Sequence, residues 1–359
     1  MTILHIEAGK NLYGGAKQVA YLIEELQKRG TNNILICPIN SEIAKVCKPF
    51  CIVEEIQMSG DLDISMIFRI KKIIKFHNAN IVHVHSRRGA DIMGMVAAKL
   101  SKTPVVLSRR VDNPEPKLWA KFKYSFYDHI VTISEAIRNV LISEGVKSEK
   151  ITTVYSAVDS SIYDKPCSKT YFLQEFKLPE NTKTIGVIAQ LIPRKGHKYL
   201  LQIVPDIIKI FPNLHILFFG KGPIKNELED IIKTKNLQNN VHMIGFRDDL
   251  LQWIGCLDLV VHPALMEGLG VSLLQAAAAG VPIIASPFGG MPEIVHNNVN
   301  GFLVDPHDSK TLFEKISLLL NDQNLSIKFG KAGKEIVKSK FSIESMVDGN
   351  LSIYKKVLS

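Results

Sequence analysis

This 359-residue chain lacks CxxC pairs, zinc-ligand spacing, a GxGxxG fingerprint and any sequence-level repeat. Each absence excludes a class. Its five cysteines stand at 37, 47, 51, 167 and 256, a scatter that predicts free thiols in a reducing compartment rather than disulfides or structural zinc. The N-terminus runs MTILHIEAGK into a strand pattern, without the basic and apolar regions of a signal peptide, so export is not expected. Neither Gly14-Gly15 nor Gly220-Lys221-Gly222 extends to GxGxxG with a ribose-binding acid beyond the next strand, which disfavours an NAD-dependent oxidoreductase. No nucleic-acid-binding signature is recognisable, so no nucleic-acid partner is expected. Residues 268–288 are uncharged over the length of a membrane span, but Gly280-Val281-Pro282 ends a short helix and opens a buried strand, which argues against a span.

What is present is an ordinary globular composition, 46% hydrophobic and 22% charged, long enough for two domains. Short apolar runs alternate with helix-length amphipathic segments, at Ile3–Ile6, Ile34–Cys37, Ile81–His85, Val105–Ser108 and His129–Ile133. This is the rhythm of a parallel α/β domain. The rhythm stops between Val158 and Pro179 and resumes at Thr184–Ala189, His215–Phe219, Val241–Ile244, Leu257–Val261 and Val281–Ala285. The expected division is therefore an N-terminal domain over 1–165, a second over 166–340, and a last helix over 341–359 crossing back to the first. Helices are predicted over 308–321 and 323–337. Ligands of such sheets bind beyond the carboxyl ends of the strands.

Of the net charge of +9, +6 falls on residues 1–165. Arg69-Ile-Lys-Lys-Ile-Ile-Lys75 and Lys117-Leu-Trp-Ala-Lys-Phe-Lys123 mix basic and apolar residues at helical spacing. They fit either contact with an anionic membrane surface or acceptor, or ordinary solvated helix faces.

Beyond the strand ending at His262-Pro263, Glu267 precedes Gly268-Leu269-Gly270-Val271, where a glycine turn opens a helix. Backbone N–H groups at such a start bind phosphate; a plain tight turn with a solvated glutamate is the other reading. His83 and His85 stand two apart at a strand end. They can be a metal pair lacking a recognisable third ligand, core histidines or ligand contacts.

Taken in order with Gly14-Gly15, Lys195-Gly196 and Gly289-Gly290-Met291-Pro292-Glu293, these motifs resemble glycosyltransferase family 4 over nearly the whole chain. The resemblance implies a GT-B fold, two Rossmann-like α/β domains with parallel sheets facing across a cleft. It also implies transfer of a sugar, with retention of configuration, from a nucleotide diphosphate sugar to a glycan or lipid-linked acceptor. No metal or other cofactor would be needed. His85, Lys195 and Glu267 would be the catalytic set. Gly14, Gly15, Arg194, Lys195, Gly268, Leu269, Gly270, Val271 and Gln275 would bind the donor. His85 and Glu267 would hold the sugar, Lys195 would neutralise the diphosphate, and Gly14-Gly15 would let backbone approach it closely.

Two departures mark this sequence. The second glutamate of the family's motif, eight positions after Glu267, is Gln275, which offers the nucleotide ribose a neutral amide. Where the family has Gly-Arg the chain has Ala189-Gln190, leaving Arg194 as a substitute charge. Arg87, Arg88, Arg109 and Arg110, at successive strand ends, are candidates for binding an acidic acceptor. The expected setting is cell-envelope polysaccharide or lipopolysaccharide synthesis, in the cytoplasm at the inner membrane face. Sugar-nucleotide epimerase or phosphorylase chemistry, and a non-catalytic glycan- or nucleotide-binding module, are the alternatives on the same fold.

Overall fold

The computed structural model describes residues 1–85, 89–163 and 166–359. The chain divides into two compact units, Met1–Ala157 with Ile343–Ser359, and Val158–Ser342.

Unit 1 is a seven-stranded sheet of β1 (Thr2–Ile6), β2 (Asn32–Pro38), β3 (Ile52–Ile56), β4 (Ile81–Val84), β5 (Val105–Arg109), β6 (His129–Thr132) and β7 (Ile151–Thr153). All its pairings are parallel, in the order β3-β2-β1-β4-β5-β6-β7. Strands β1, β2, β4, β5 and β6 are buried along nearly all their length because helices cover both faces. One core holds Met66, Ile70 and Ile74, spaced four apart along the helix Ser65–Phe76, together with Ala120 and Tyr124 of the helix Lys117–Ser125. On the other face, Leu22 and Leu26 of the helix Gly14–Lys28 meet Val347 and Tyr354 of the last helix, Ile343–Leu358. That last helix therefore completes the first unit.

Unit 2 carries β8 (Lys183–Ile188), β9 (Leu214–Phe219), β10 (Val241–Gly245), β11 (Leu259–His262), β12 (Ile283–Ala285) and β13 (Gly301–Leu303). Again every pairing is parallel, in the order β10-β9-β8-β11-β12-β13. Both units thus have the expected Rossmann-like α/β build, with the strand order reversing between β1 and β4 in one sheet and between β8 and β11 in the other.

Three strands were not predicted. β3 carries Glu54 and Glu55 on an exposed edge, and β7 and β13 have only three residues each, too few to show a period. Residues 268–288 contain the helix Val271–Ala278 and β12, and no helix among the described residues is long and apolar enough to cross a membrane. The expectation of free thiols fails at one place. Cys167, just before the helix Lys169–Glu175, forms a disulfide with Cys256, just before β11, across 89 residues. Nothing in local sequence spacing reveals such a pair, because only the fold brings their Cα atoms to 5.4 Å. Cys37, Cys47 and Cys51 remain thiols.

Candidate functional site

At the carboxyl end of β8 the chain turns through Pro193–Lys195 into the helix His197–Ile210. Gly196 sits in this turn at φ +72°, where a Cβ would run into the Pro263 carbonyl. The close approach packs this loop against the one leaving β11, and Leu265 N–H donates to the Arg194 carbonyl at 2.8 Å. It thereby brings Lys195, buried, onto the Glu267 carboxylate. His262, the last residue of β11, donates from Nε2 to the same Glu267 oxygen at 3.0 Å. Burial alone would raise the Glu267 carboxyl, but the His262 hydrogen bond and the Lys195 charge outweigh it and hold the group at about 2. Glu267 is therefore an anion that accepts hydrogen bonds at every physiological pH, not a proton donor.

The backbone around that carboxylate is equally fixed. Gly290 N–H donates to the Glu267 carbonyl at 2.9 Å, and Gly289, at φ +59°, lies so close to that carbonyl that no Cβ fits. Gly270 caps the helix Val271–Ala278 without a side-chain cap, which leaves its first backbone N–H groups for a ligand or solvent. Leu269 is buried as the anchor of the turn, and Gln275 is half-buried on the helix that follows. Arg194 Nη1 reaches the Met266 carbonyl at 3.5 Å, on the rim of the same turn.

Unit 1 has its own cavity, about 290 Å³, at the carboxyl ends of β1, β4 and β5. Glu7, Gly15, His85, Arg109 and Arg110 line it. Gly14 and Gly15 open the helix Gly14–Lys28, with no side-chain cap at Tyr13. A Cβ on Gly14 would meet nothing within 4 Å, and one on Gly15 only Arg110 Cδ at 3.6 Å. The unit itself does not require glycine there; the missing side chains leave open space beside the helix start. Burial draws the Arg110 guanidinium down to about 10 against the opposing pull of Glu7. Arg109 is buried as well, donating from Nη2 to the Asn113 carbonyl with Glu115 3.9 Å from Nη1. It is thus partly committed to the protein rather than projecting freely as an acceptor-binding side chain. Arg87 and Arg88 lie outside the described residues.

Behind the cavity three buried histidines meet. His5, His83 and His85 each offer a ring nitrogen within 4.8 Å of the others, so the third member that linear spacing did not show is His5 on β1. Hydrogen bonds already use nearly all of these nitrogens. His83 contacts Tyr354 Oη at 2.6 Å and Ser108 Oγ at 2.9 Å, and His5 Nδ1 contacts His85 Nε2 at 3.0 Å. His5 Nε2 reaches Asn33 Oδ1 at 3.3 Å. Burial lowers all three, most simply by denying their charged forms water; His5 falls to about 4, and His83, His5 and Arg110 add their repulsion at His85. The group is neutral at pH 7, and His85 Nδ1 is buried without a hydrogen-bond partner.

The structure thus groups Arg194, Lys195, Glu267, Gly268, Leu269, Gly270, Val271 and Gln275 at one strand switch, and Gly14, Gly15, His85, Arg109 and Arg110 at the other. Sequence reasoning missed His262, which stands five residues before Glu267 as the last strand residue, and missed His5, Asn33 and Glu7, which only sheet pairing brings to the site.

Two family models match the chain, Glycosyltransferase Family 4 over residues 13–162 and Glycosyl transferases group 1 over residues 168–336. A galactosyltransferase of Escherichia coli named for UDP-Gal and α-D-GlcNAc-diphosphoundecaprenol is 24% identical over 308 residues, covering 81% of this chain and 79% of that protein. An uncharacterized glycosyltransferase of Methanocaldococcus jannaschii is 25% identical over 232 residues, and the match spans 63% of this chain and 59% of that protein. Among solved structures, Anabaena Alr3699/HepE in complex with UDP superposes with a TM-score of 0.87 at 19% identity, over 99% of this chain and 100% of that one. That likeness shows the GT-B fold. Matched in both of its units by glycosyltransferase models, the chain belongs to glycosyltransferase family 4.

Proposed function

We propose that the protein transfers a sugar from a nucleotide diphosphate sugar to a glycan or lipid-linked acceptor, with retention of configuration and without a metal. The observation that carries this reading is the Lys195–Glu267–His262 cluster at the β8/β11 switch, in which buried Lys195 and His262 hold a half-buried carboxylate. A lysine and a helix start can stabilise the charge that grows on a departing diphosphate. A permanently ionised carboxylate beside them can hold the sugar's hydroxyls. The UDP complex of the Anabaena neighbour supports a nucleotide ligand, and the E. coli relative's name supports a lipid-linked acceptor. The catalytic set is His85, Lys195 and Glu267; Gly14 and Gly15, at an uncapped helix start, leave space for the diphosphate. Arg110, half-buried in the lining of the unit 1 cavity, is the best placed of the acceptor candidates. Incubation with a panel of UDP- and GDP-hexoses, with and without lipid-linked acceptor, tests the reading: nucleoside diphosphate should appear in step with glycosylated acceptor of unchanged anomeric configuration. Interconversion of sugar nucleotides without acceptor would point to an epimerase, and binding without turnover to a non-catalytic module.

The donor's nucleotide is met at Gln275 by an amide where the family carries a glutamate. Gln275→Glu should retain transfer and shift the preference among nucleotide bases or riboses, because a carboxylate strengthens hydrogen bonds from ribose hydroxyls. Unchanged preference across the panel would remove Gln275 from the nucleotide contact.

The setting we infer is envelope glycan synthesis at the cytoplasmic face of a membrane. Two helices over the same core of unit 1 carry outward apolar side chains: Phe68 and Phe76 on one, Leu118, Trp119 and Phe122 on the other, with Leu118 86% exposed. Lys72, Lys75, Lys117 and Lys121 are exposed among them, a pairing of apolar and cationic groups suited to anionic lipid. Lys123, counted with this cluster in the sequence, is instead buried against Asp91 at 2.6 Å. Trp119→Ala combined with Phe122→Ala should weaken binding to vesicles containing phosphatidylglycerol about tenfold. Added salt should weaken the wild type further; binding indifferent to both would contradict a membrane contact at this surface.

A further inference from the structure

The histidine group behind the unit 1 cavity is a directional chain of hydrogen bonds. Its direction is set at the far end. Asn33 Nδ2 faces the Thr31 carbonyl at 3.2 Å, an acceptor that cannot donate, so the opposite end of the amide, Oδ1, is what faces His5 Nε2. An amide oxygen only accepts, so the His5 proton sits on Nε2. A neutral His5 then presents a lone pair at Nδ1, and the 3.0 Å contact to His85 Nε2 requires that His85 donates from there. One proton on a neutral imidazole leaves Nδ1 of His85 bare. This is the nitrogen that is buried without a partner, on a residue lining the cavity.

We propose that Asn33 and His5 are positioning residues that fix His85 in the tautomer with a bare Nδ1, so that the cavity selects a ligand hydroxyl able to donate to that nitrogen. The inference deepens the proposed reading of His85 as a sugar contact and rests on it for the identity of the hydroxyl. The chain has a physical purpose. A lone histidine side chain can exchange tautomers and rotate, whereas one held at Nε2 presents a single acceptor in a single direction. His83 is excluded from the chain because Tyr354 and Ser108 take both of its nitrogens.

The test uses the full chain labelled with 15N-histidine, free of ligand. A scalar coupling between His85 Nε2 and His5 Nδ1 across their hydrogen bond is expected, with His85 Nδ1 unprotonated at neutral pH. Absence of that coupling, or a proton on His85 Nδ1, overturns the proposal whatever the enzyme turns out to transfer. A kinetic arm uses the sugar nucleotide that turns over fastest in the panel of UDP- and GDP-hexoses. His5→Leu, which removes the acceptor, should lower transfer about tenfold or more, and His5→Gln, which restores an acceptor and a donor, should recover most of it. Equal rates for Leu and Gln overturn the positioning role. If instead the coupling is present and His85→Ala leaves transfer unchanged, it is the sugar-contact reading that fails, and with it the selection of a hydroxyl. The wild-type coupling needs no substitution, so a poorly folding variant does not remove the test.

Discussion

Glu267→Gln should lower sugar transfer about a hundredfold or more while leaving the chain folded. The substitution keeps the shape of the side chain and one carbonyl acceptor but removes the charge. In the native protein that charge is secured by two neighbours, the Lys195 ammonium and the His262 Nε2–H, which hold the carboxyl at about 2 despite burial. A neutral amide offers Lys195 a weaker partner, and its N–H groups can face His262 where an acceptor is needed. The sugar would then lose a charged acceptor for its hydroxyls at the moment its ring carbon becomes cationic. The check is transfer rate against circular dichroism and melting temperature: an intact fold with a lost rate supports a role in chemistry, whereas a rate within a few-fold of wild type places Glu267 outside it.

Lys195→Ala should have a loss of the same order, about a hundredfold, for a different reason. Lys195 is buried at the end of a turn that Gly196 folds tightly against the β11 loop. In the free protein its charge faces Glu267; with donor bound, the same ammonium can be shared with the diphosphate, whose negative charge grows as the sugar departs. Removing it takes away stabilisation that matters most in the transition state, so the rate should fall more than donor affinity. It also leaves a half-buried carboxylate with only His262, so some stability should be lost as well. Lys195→Arg separates the two effects: it keeps the charge in a larger, planar head, and should restore stability better than rate. A change confined to donor KM would make Lys195 a uniform binding residue instead.

The alternation of apolar runs with amphipathic helices was enough to read two parallel sheets, because buried parallel strands are continuous and their crossover helices are long. Strands that broke the pattern escaped it. β3 is charged at its edge, and β7 and β13 are too short for any period. The unit 2 site was legible for a related reason: Glu267, the glycine turn and Gln275 lie on nine consecutive positions of a strand-turn-helix segment, and Lys195 lies at the corresponding end of the neighbouring strand. His262 adjoins this segment yet gave no signal of its own, since a histidine closing a strand is as often core as ligand.

Unit 1 was harder to read. His85 could be picked out, but what holds it could not, because His5 is 80 positions away and Asn33 28 from His5. Such partners meet only through the register that pairs β1 with β4 and with β2. The Cys167–Cys256 disulfide has the same character. Gly14 and Gly15 form the first turn of a helix, where their value is the space they leave. Arg109, read from the sequence as a charge at a strand end, lines the unit 1 cavity and is at the same time engaged by Asn113 and Glu115 of its own unit, a partial commitment that sequence position does not show.

The measurement closest to the central claim is acceptor-dependent release of nucleoside diphosphate, with excess chelator present, by wild type and Glu267→Gln side by side. The account predicts turnover of at least one sugar nucleotide by the wild type, undiminished by the chelator, and loss of about a hundredfold in the variant. Turnover that stops with chelation, or a variant as active as the wild type, would contradict it.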